Sequence, residues 1–116
     1  MSSSETPVRV LVAGLGNMGR SHALAYHNDP GFEIVGLVNR SEVTLPEELR
    51  GYTIHPSFPE ALAALKPDLC SICTYSDSHA DYAVMAFEAG CHVFVEKPLA
   101  TTVADAERVV AAAKAA

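Results

Sequence analysis

Short β-branched runs alternate without interruption with stretches of helical period from Val8 onward, which predicts an α/β fold, a parallel sheet covered by helices on both faces. A glycine cluster, Gly14-Leu15-Gly16-Asn17-Met18-Gly19, falls where the first strand gives way to the first helix. The third observation is bulk. Of the 116 residues 49% are hydrophobic and 19% charged, enough apolar surface for one core and too little charge for a disordered chain.

Val8 to Ala13 is the first strand, followed by a helix from about Met18 to Asn28 that Asp29-Pro30-Gly31 stops. Phe32 to Val38 is the second strand, Leu45 to Arg50 a weak helical turn, and Thr53-Ile54-His55 a short third strand. Ser57 and Glu60 have capping-box spacing, so a helix follows through Leu65 with Phe58, Ala61, Leu62 and Leu65 on one face. Leu69 to Thr74 is the fourth strand, after which Asp77 or Ser78 caps a helix that buries Tyr82, Ala83, Ala86 and Phe87 and ends on a left-handed Gly90. Cys91 to Val95 is the fifth strand. Thr102 with Asp105 opens a last helix presenting Val103, Ala106, Val110 and Ala113. These elements add up to a Rossmann-type, doubly wound, three-layer α/β/α sheet of about five strands, with the usual sixth strand and a C-terminal domain missing. Residues 1–7 read as a disordered leader and residues 8–116 as one domain.

The formal net charge of -6 disfavours sequence-independent nucleic-acid binding and anionic membrane surfaces, both of which need Lys and Arg to meet phosphate. No apolar run approaches the roughly 20 residues of a membrane-spanning helix, and the first seven residues lack a signal-peptide pattern. Three cysteines give no secreted disulfide framework, so a reducing, cytoplasmic setting is expected.

The glycine cluster matches GxGxxG in strand-to-helix context. There Gly14 permits the tight turn, Gly16 lets the backbone approach a pyrophosphate at the helix N-terminus, and Gly19 allows close helix–strand packing. Leu15, Asn17 and Met18 supply the remaining amides of that loop. The end of strand two is where a carboxylate normally binds the adenosine ribose of NAD, and this chain has Asn39-Arg40-Ser41 instead. A neutral amide spares a 2′-phosphate from repulsion and Arg40 can pair with it, which favours NADP over NAD. Alternatively, Arg40 stacks on adenine while Asn39 bonds a hydroxyl. Thr74 and His79 leave strand four at the sheet edge where ligands bind. His79 contacts the cofactor, orients a neighbour, or serves the helix start as a structural residue.

Glu96-Lys97-Pro98 follows strand five at the same edge. Lys97 there can donate to a substrate hydroxyl or carbonyl during hydride transfer, although a surface ion pair explains a bare tripeptide equally well. Pro98 fixes the turn and is a candidate cis peptide. Cys70 and Cys73 have CxxC spacing, but residues three apart on a strand point to opposite faces, so they read as core. His22, His27, His55 and His92 show no ligand spacing, and no metal is assigned.

GLGNMGRSHA together with SDSHADYAVMAFEAGCHVFVEKPLATTVADAERV resembles the N-terminal domain of the Gfo/Idh/MocA oxidoreductases, over nearly the whole chain from Val8. The resemblance implies NAD(P)-dependent hydride transfer at a CH–OH or carbonyl group of a sugar, polyol or related compound, in a cytoplasmic, homo-oligomeric parent. It also implies that Lys97 matches the lysine near the nicotinamide, Gly14, Gly16 and Gly19 the phosphate loop, and His79 the helix-opening histidine. Family members continue into a substrate domain that this chain lacks, so it reads as an excised domain or a short natural protein, with negligible turnover alone. A non-catalytic dinucleotide sensor and another two-domain dehydrogenase are the rival readings. The unpaired edge of strand five invites self-association.

Overall fold

A computed structural model of the protein describes residues 6–116. Five parallel strands, β1 (Val8–Ala13), β2 (Phe32–Val38), β3 (Ile54–His55), β4 (Leu69–Ile72) and β5 (His92–Val95), lie in the order β3-β2-β1-β4-β5. The chain runs outward from β1 to β3, then returns to the other side of β1 for β4 and β5. That reversal opens a crevice at the carboxyl ends of β1 and β4, the switch point of a doubly wound sheet. Three helices join strands, α1 (Asn17–Asn28), α2 (Phe58–Leu65) and α3 (Ser76–Glu88), a short 3-10 turn at Glu47–Leu49 lies between β2 and β3, and α4 (Val103–Ala115) follows β5.

The alternation of β1 sorts its side chains into two cores. Val10 and Val12 join Leu15, Ala23, Ile34, Leu37, Leu45 and Leu49 beneath α1 and the 3-10 turn. Leu11 and Ala13 point the other way, into a larger core with Ile72 of β4 and with Phe58, Leu62, Ala83 and Val109 from the remaining helices. Phe58 is fully buried and its ring stacks on Tyr82 with centroids 4.4 Å apart. Truncating so enclosed a ring costs about 3–5 kcal/mol.

Most element ends follow from local chemistry. Ser57 Oγ accepts from Glu60 N at 3.4 Å and Thr102 Oγ1 from Asp105 N at 3.1 Å, as their spacing predicts. Gly90 takes φ 83 after α3. No glycine ends α2; Lys66 adopts the left-handed conformation there, and the Arg9 guanidinium donates to the carbonyls of Leu65 and Lys66, each at 2.8 Å.

Three expectations need correction. α3 begins at Ser76, so neither Asp77 nor Ser78 caps it; Ser78 Oγ donates back to Tyr75 O at 2.8 Å, which holds it inside the first turn. Strand four ends at Ile72, two residues early, because the chain must turn away at the crevice. The last helix is rotated: Val109 is buried, whereas Val103 and Val110 are 76% and 46% exposed. In so alanine-rich a helix the sequence offers two apolar faces of similar strength, and packing against α3 selects the one carrying Val109. Of the expected leader, residues 1–5 lie outside the described residues. Among the described residues no helix is long and apolar enough to cross a membrane.

Candidate functional site

The β1–α1 crossover is held in shape by the protein's own backbone. Gly14 sits at φ 91, its N–H donates to Val38 O at 2.8 Å, and a methyl group on it would lie 2.4 Å from Cys73 O. Gly19 lies against the same turn, where a methyl group would come within 1.7 Å of Gly14 O. Gly16 differs. A methyl group there would meet nothing within 4 Å, so the protein's own packing does not demand a glycine. It is the N-cap of α1, no side chain caps that helix, and its first turn carries no acidic residue. The first-turn amides, those of Asn17 and Met18 among them, are therefore left to an external acceptor in the positive field of the helix end.

In front of this turn lies a cavity of about 330 Å³, walled by Gly14, Leu15 and Gly16 on one side and by Asn39, Arg40 and Thr74 on others. Asn39 ties two walls together: its Oδ1 accepts from Leu15 N at 3.2 Å and its Nδ2 donates to Ser41 O at 2.7 Å. Arg40 and Ser41 are exposed at the cavity's outer end. Thr74 Oγ1 and Ser78 Oγ share a hydrogen bond of 2.6 Å on the floor side. Tyr75, which the sequence did not single out, stands on the cavity rim 79% exposed. An aromatic residue so exposed directly after a strand's carboxyl end is the signal that could have found it.

The remaining predicted residues stand apart from that cavity's lining. His79 is 2% exposed, with Nδ1 2.7 Å from Pro98 O and Nε2 2.8 Å from Thr74 O. The ring thus bridges the end of β4 to the loop after β5, and both nitrogens are occupied by main chain. That position matches the structural alternative among those the sequence left open. Lys97 is exposed on that loop and makes no ion pair among the described residues. The Lys97–Pro98 peptide is cis. Glu96 turns the other way, its Oε2 3.0 Å from His22 Nε2 on α1.

Sequence spacing hides one grouping that the fold creates. His22, Cys73 and Glu96 come from α1 and from the ends of β4 and β5, yet their ligand-type atoms all lie within 4.8 Å of one another. Burial pushes the Cys73 thiol up to about 11, the nearby Ser71 hydroxyl opposes that shift, and the Glu96 charge adds to it. Cys70 and Cys91 are also raised, chiefly by burial. All three thiols are free; Cys70 lies buried in the core as the strand argument required, whereas Cys73, also read as core, is only partly buried and lines the cavity because the chain has left β4 there.

A parallel sheet with its glycine turn at the switch point and an uncapped helix facing the crevice defines a Rossmann domain built for a phosphorylated ligand. The chain belongs to the Gfo/Idh/MocA oxidoreductase family, whose NAD-binding Rossmann fold it matches over residues 8–116. It is 37% identical over 106 residues to 4-carboxy-2-hydroxymuconate-6-semialdehyde dehydrogenase from Sphingobium sp., covering 89% of this chain and 34% of that protein. It is 35% identical over 103 residues to D-glucoside 3-dehydrogenase from Escherichia coli, covering 85% and 29%. Among solved structures, the WlbA dehydrogenase from Bordetella pertussis, in complex with NADH and UDP-GlcNAcA, superposes with a TM-score of 0.82 at 26% identity over 98% of this chain and 34% of that one. The chain spans about a third of the length of these relatives.

Proposed function

We propose that this chain is the NAD(P)-binding domain of an oxidoreductase that moves hydride between a nicotinamide and a CH–OH group of a sugar, polyol or related compound. The observation that carries this reading is the uncapped N-terminus of α1, opened by an unobstructed Gly16, at the mouth of a cavity that Asn39 and Arg40 close. A methyl group at Gly16 would fill space that only a ligand needs. The amides of Gly16, Asn17, Met18 and Gly19 then serve the diphosphate, Leu15 lines the turn with its own N–H held by Asn39, and Asn39, Arg40 and Ser41 serve the adenosine ribose. Thr74 borders the path to the nicotinamide, which supplies the hydride acceptor when bound.

NADP is the favoured cofactor, because no carboxylate ends β2 to repel a 2′-phosphate and Arg40 stands exposed beside the cavity. Glu42, which also lines it, works against that preference. Lys97 acts as the catalytic donor to the substrate oxygen, delivered by the loop that His79 and Glu96 hold from behind. Residues 8–116 form the domain, and the residues that select the substrate belong to the part of the relatives that this chain does not span. Three free cysteines and a charge of -6 support a cytoplasmic setting without membrane or nucleic-acid partners. The place of β5 at one edge of the sheet formed by the described residues supports self-association.

Fluorescence titration of the chain with NADPH and with NADH tests the reading. Saturable binding of both, tighter for NADPH, is expected; a folded chain that binds neither overturns it.

A further inference from the structure

We propose that His22, Cys73 and Glu96 form a binding site for one divalent transition-metal ion, of which Zn²⁺ fits the donors best, set behind the glycine turn on the α1 side of the sheet. One imidazole, one thiol and one carboxylate arrive from three separate elements with their donor atoms within 4.8 Å of one another. His22 Nε2 and Glu96 Oε2 already stand 3.0 Å apart, a separation that two neighbouring ligands of one tetrahedral ion can share. The three side chains are partly buried, and the Phe94 ring, 4.9 Å from His22, shields one side of the group.

An independent observation comes from Ser71. It is fully buried, and its Oγ has no hydrogen-bond partner among the described residues. A buried hydroxyl without a partner is costly, and native proteins rarely retain one without cause. Ser71 lies two positions before Cys73 along the chain, the spacing at which residues of an extended segment share a face. A sulfur bound to a metal carries no proton and can only accept, so a ligating Cys73 would offer that hydroxyl an acceptor. Ser71 thus has the part of an outer partner that steadies the sulfur ligand.

Charge and protons balance. Uptake of M²⁺ by neutral His22, the Glu96 carboxylate and the Cys73 thiol releases one proton to solvent and leaves a site of zero net charge, which suits partial burial. Three protein ligands leave a fourth position for water. Cys73 also lines the dinucleotide cavity, but that reading gives its sulfur and the Ser71 hydroxyl no role, so the two inferences are tested by different readouts.

Cobalt titration of the tag-free 116-residue chain tests it. The expected result is a sulfur-to-cobalt charge-transfer band and tetrahedral visible bands that saturate at one Co²⁺ per chain and are displaced by Zn²⁺. Cys73→Ser should abolish the charge-transfer band, and Ser71→Ala should weaken binding about tenfold or more. Should those variants fail to fold, X-ray absorption of the zinc-loaded wild-type chain decides: one sulfur with nitrogen and oxygen ligands supports the site. A shell with no sulfur or two sulfurs, or no stoichiometric uptake, overturns it.

Discussion

Gly19 lies so close to Gly14 that a methyl group on Gly19 would come within 1.7 Å of the Gly14 carbonyl oxygen. The first turn of α1 is locked to β1 by that contact, and the ligand-facing surface of the turn is left to Gly16 alone. Fold and function therefore separate along one motif. Gly19→Ala should cost about 3 kcal/mol or more, because backbone on both sides has nowhere to move. Gly16→Ala should leave the melting temperature almost unchanged while weakening NADPH binding about tenfold, which is about 1.4 kcal/mol. Thermal denaturation and titration of the two variants check this. Equal loss of stability in both would show that the distinction is wrong.

Asn39 joins the glycine turn to the far wall through both ends of its amide. An Asn39→Asp variant keeps the acceptor for Leu15 N but loses the donor to Ser41 O, and it brings a negative charge to the ribose end. NADPH affinity should fall roughly tenfold or more while NADH affinity changes much less. Parallel calorimetric titrations measure the difference; an equal fall for both cofactors would leave Asn39 only a structural part.

His79 spans Thr74 O and Pro98 O from inside the protein. Replacing it with Ala takes away the ring N–H that one of those carbonyls accepts from and opens a void, and should cost about 2–4 kcal/mol in urea unfolding. Hydrogen exchange should rise in the segment around Lys97. A variant as stable as wild type would mean the bridge contributes nothing.

The metal-free chain should lose stability in alkali through Cys73. Its folded pKa is raised to about 11, so the unfolded chain ionises first and binds fewer protons. The contribution is complete below about pH 9, near the ordinary thiol value, and disappears as pH rises through about 11. Cys73→Ala should flatten that part of the stability–pH curve. The same shift predicts slow alkylation of Cys73 at pH 8 in the folded protein; modification as fast as that of a free thiol would contradict it.

The strand–helix succession, the glycine turn and the caps at Ser57 and Thr102 were legible because each rests on neighbours in sequence. What escaped rests on distance or on ties between equals. His22 and Glu96 are 74 residues apart in the chain, so no local spacing reports their meeting near Cys73. The face of α4 was misread because alanine and valine occur on several of its sides, and only packing against α3 separates them. His79 stood out in sequence, yet its two backbone partners could be known only once β4 and the loop after β5 were side by side.

Nuclear magnetic resonance of the ¹⁵N-labelled chain during addition of NADPH addresses the central claim most directly, that main-chain amides at the β1–α1 crossover hold a diphosphate. The account predicts large shifts of the Leu15, Gly16, Asn17 and Met18 amides that saturate together with those of Asn39 and Arg40. Saturation of the cofactor with those amides unmoved, or shifts confined to another face of the sheet, would contradict it.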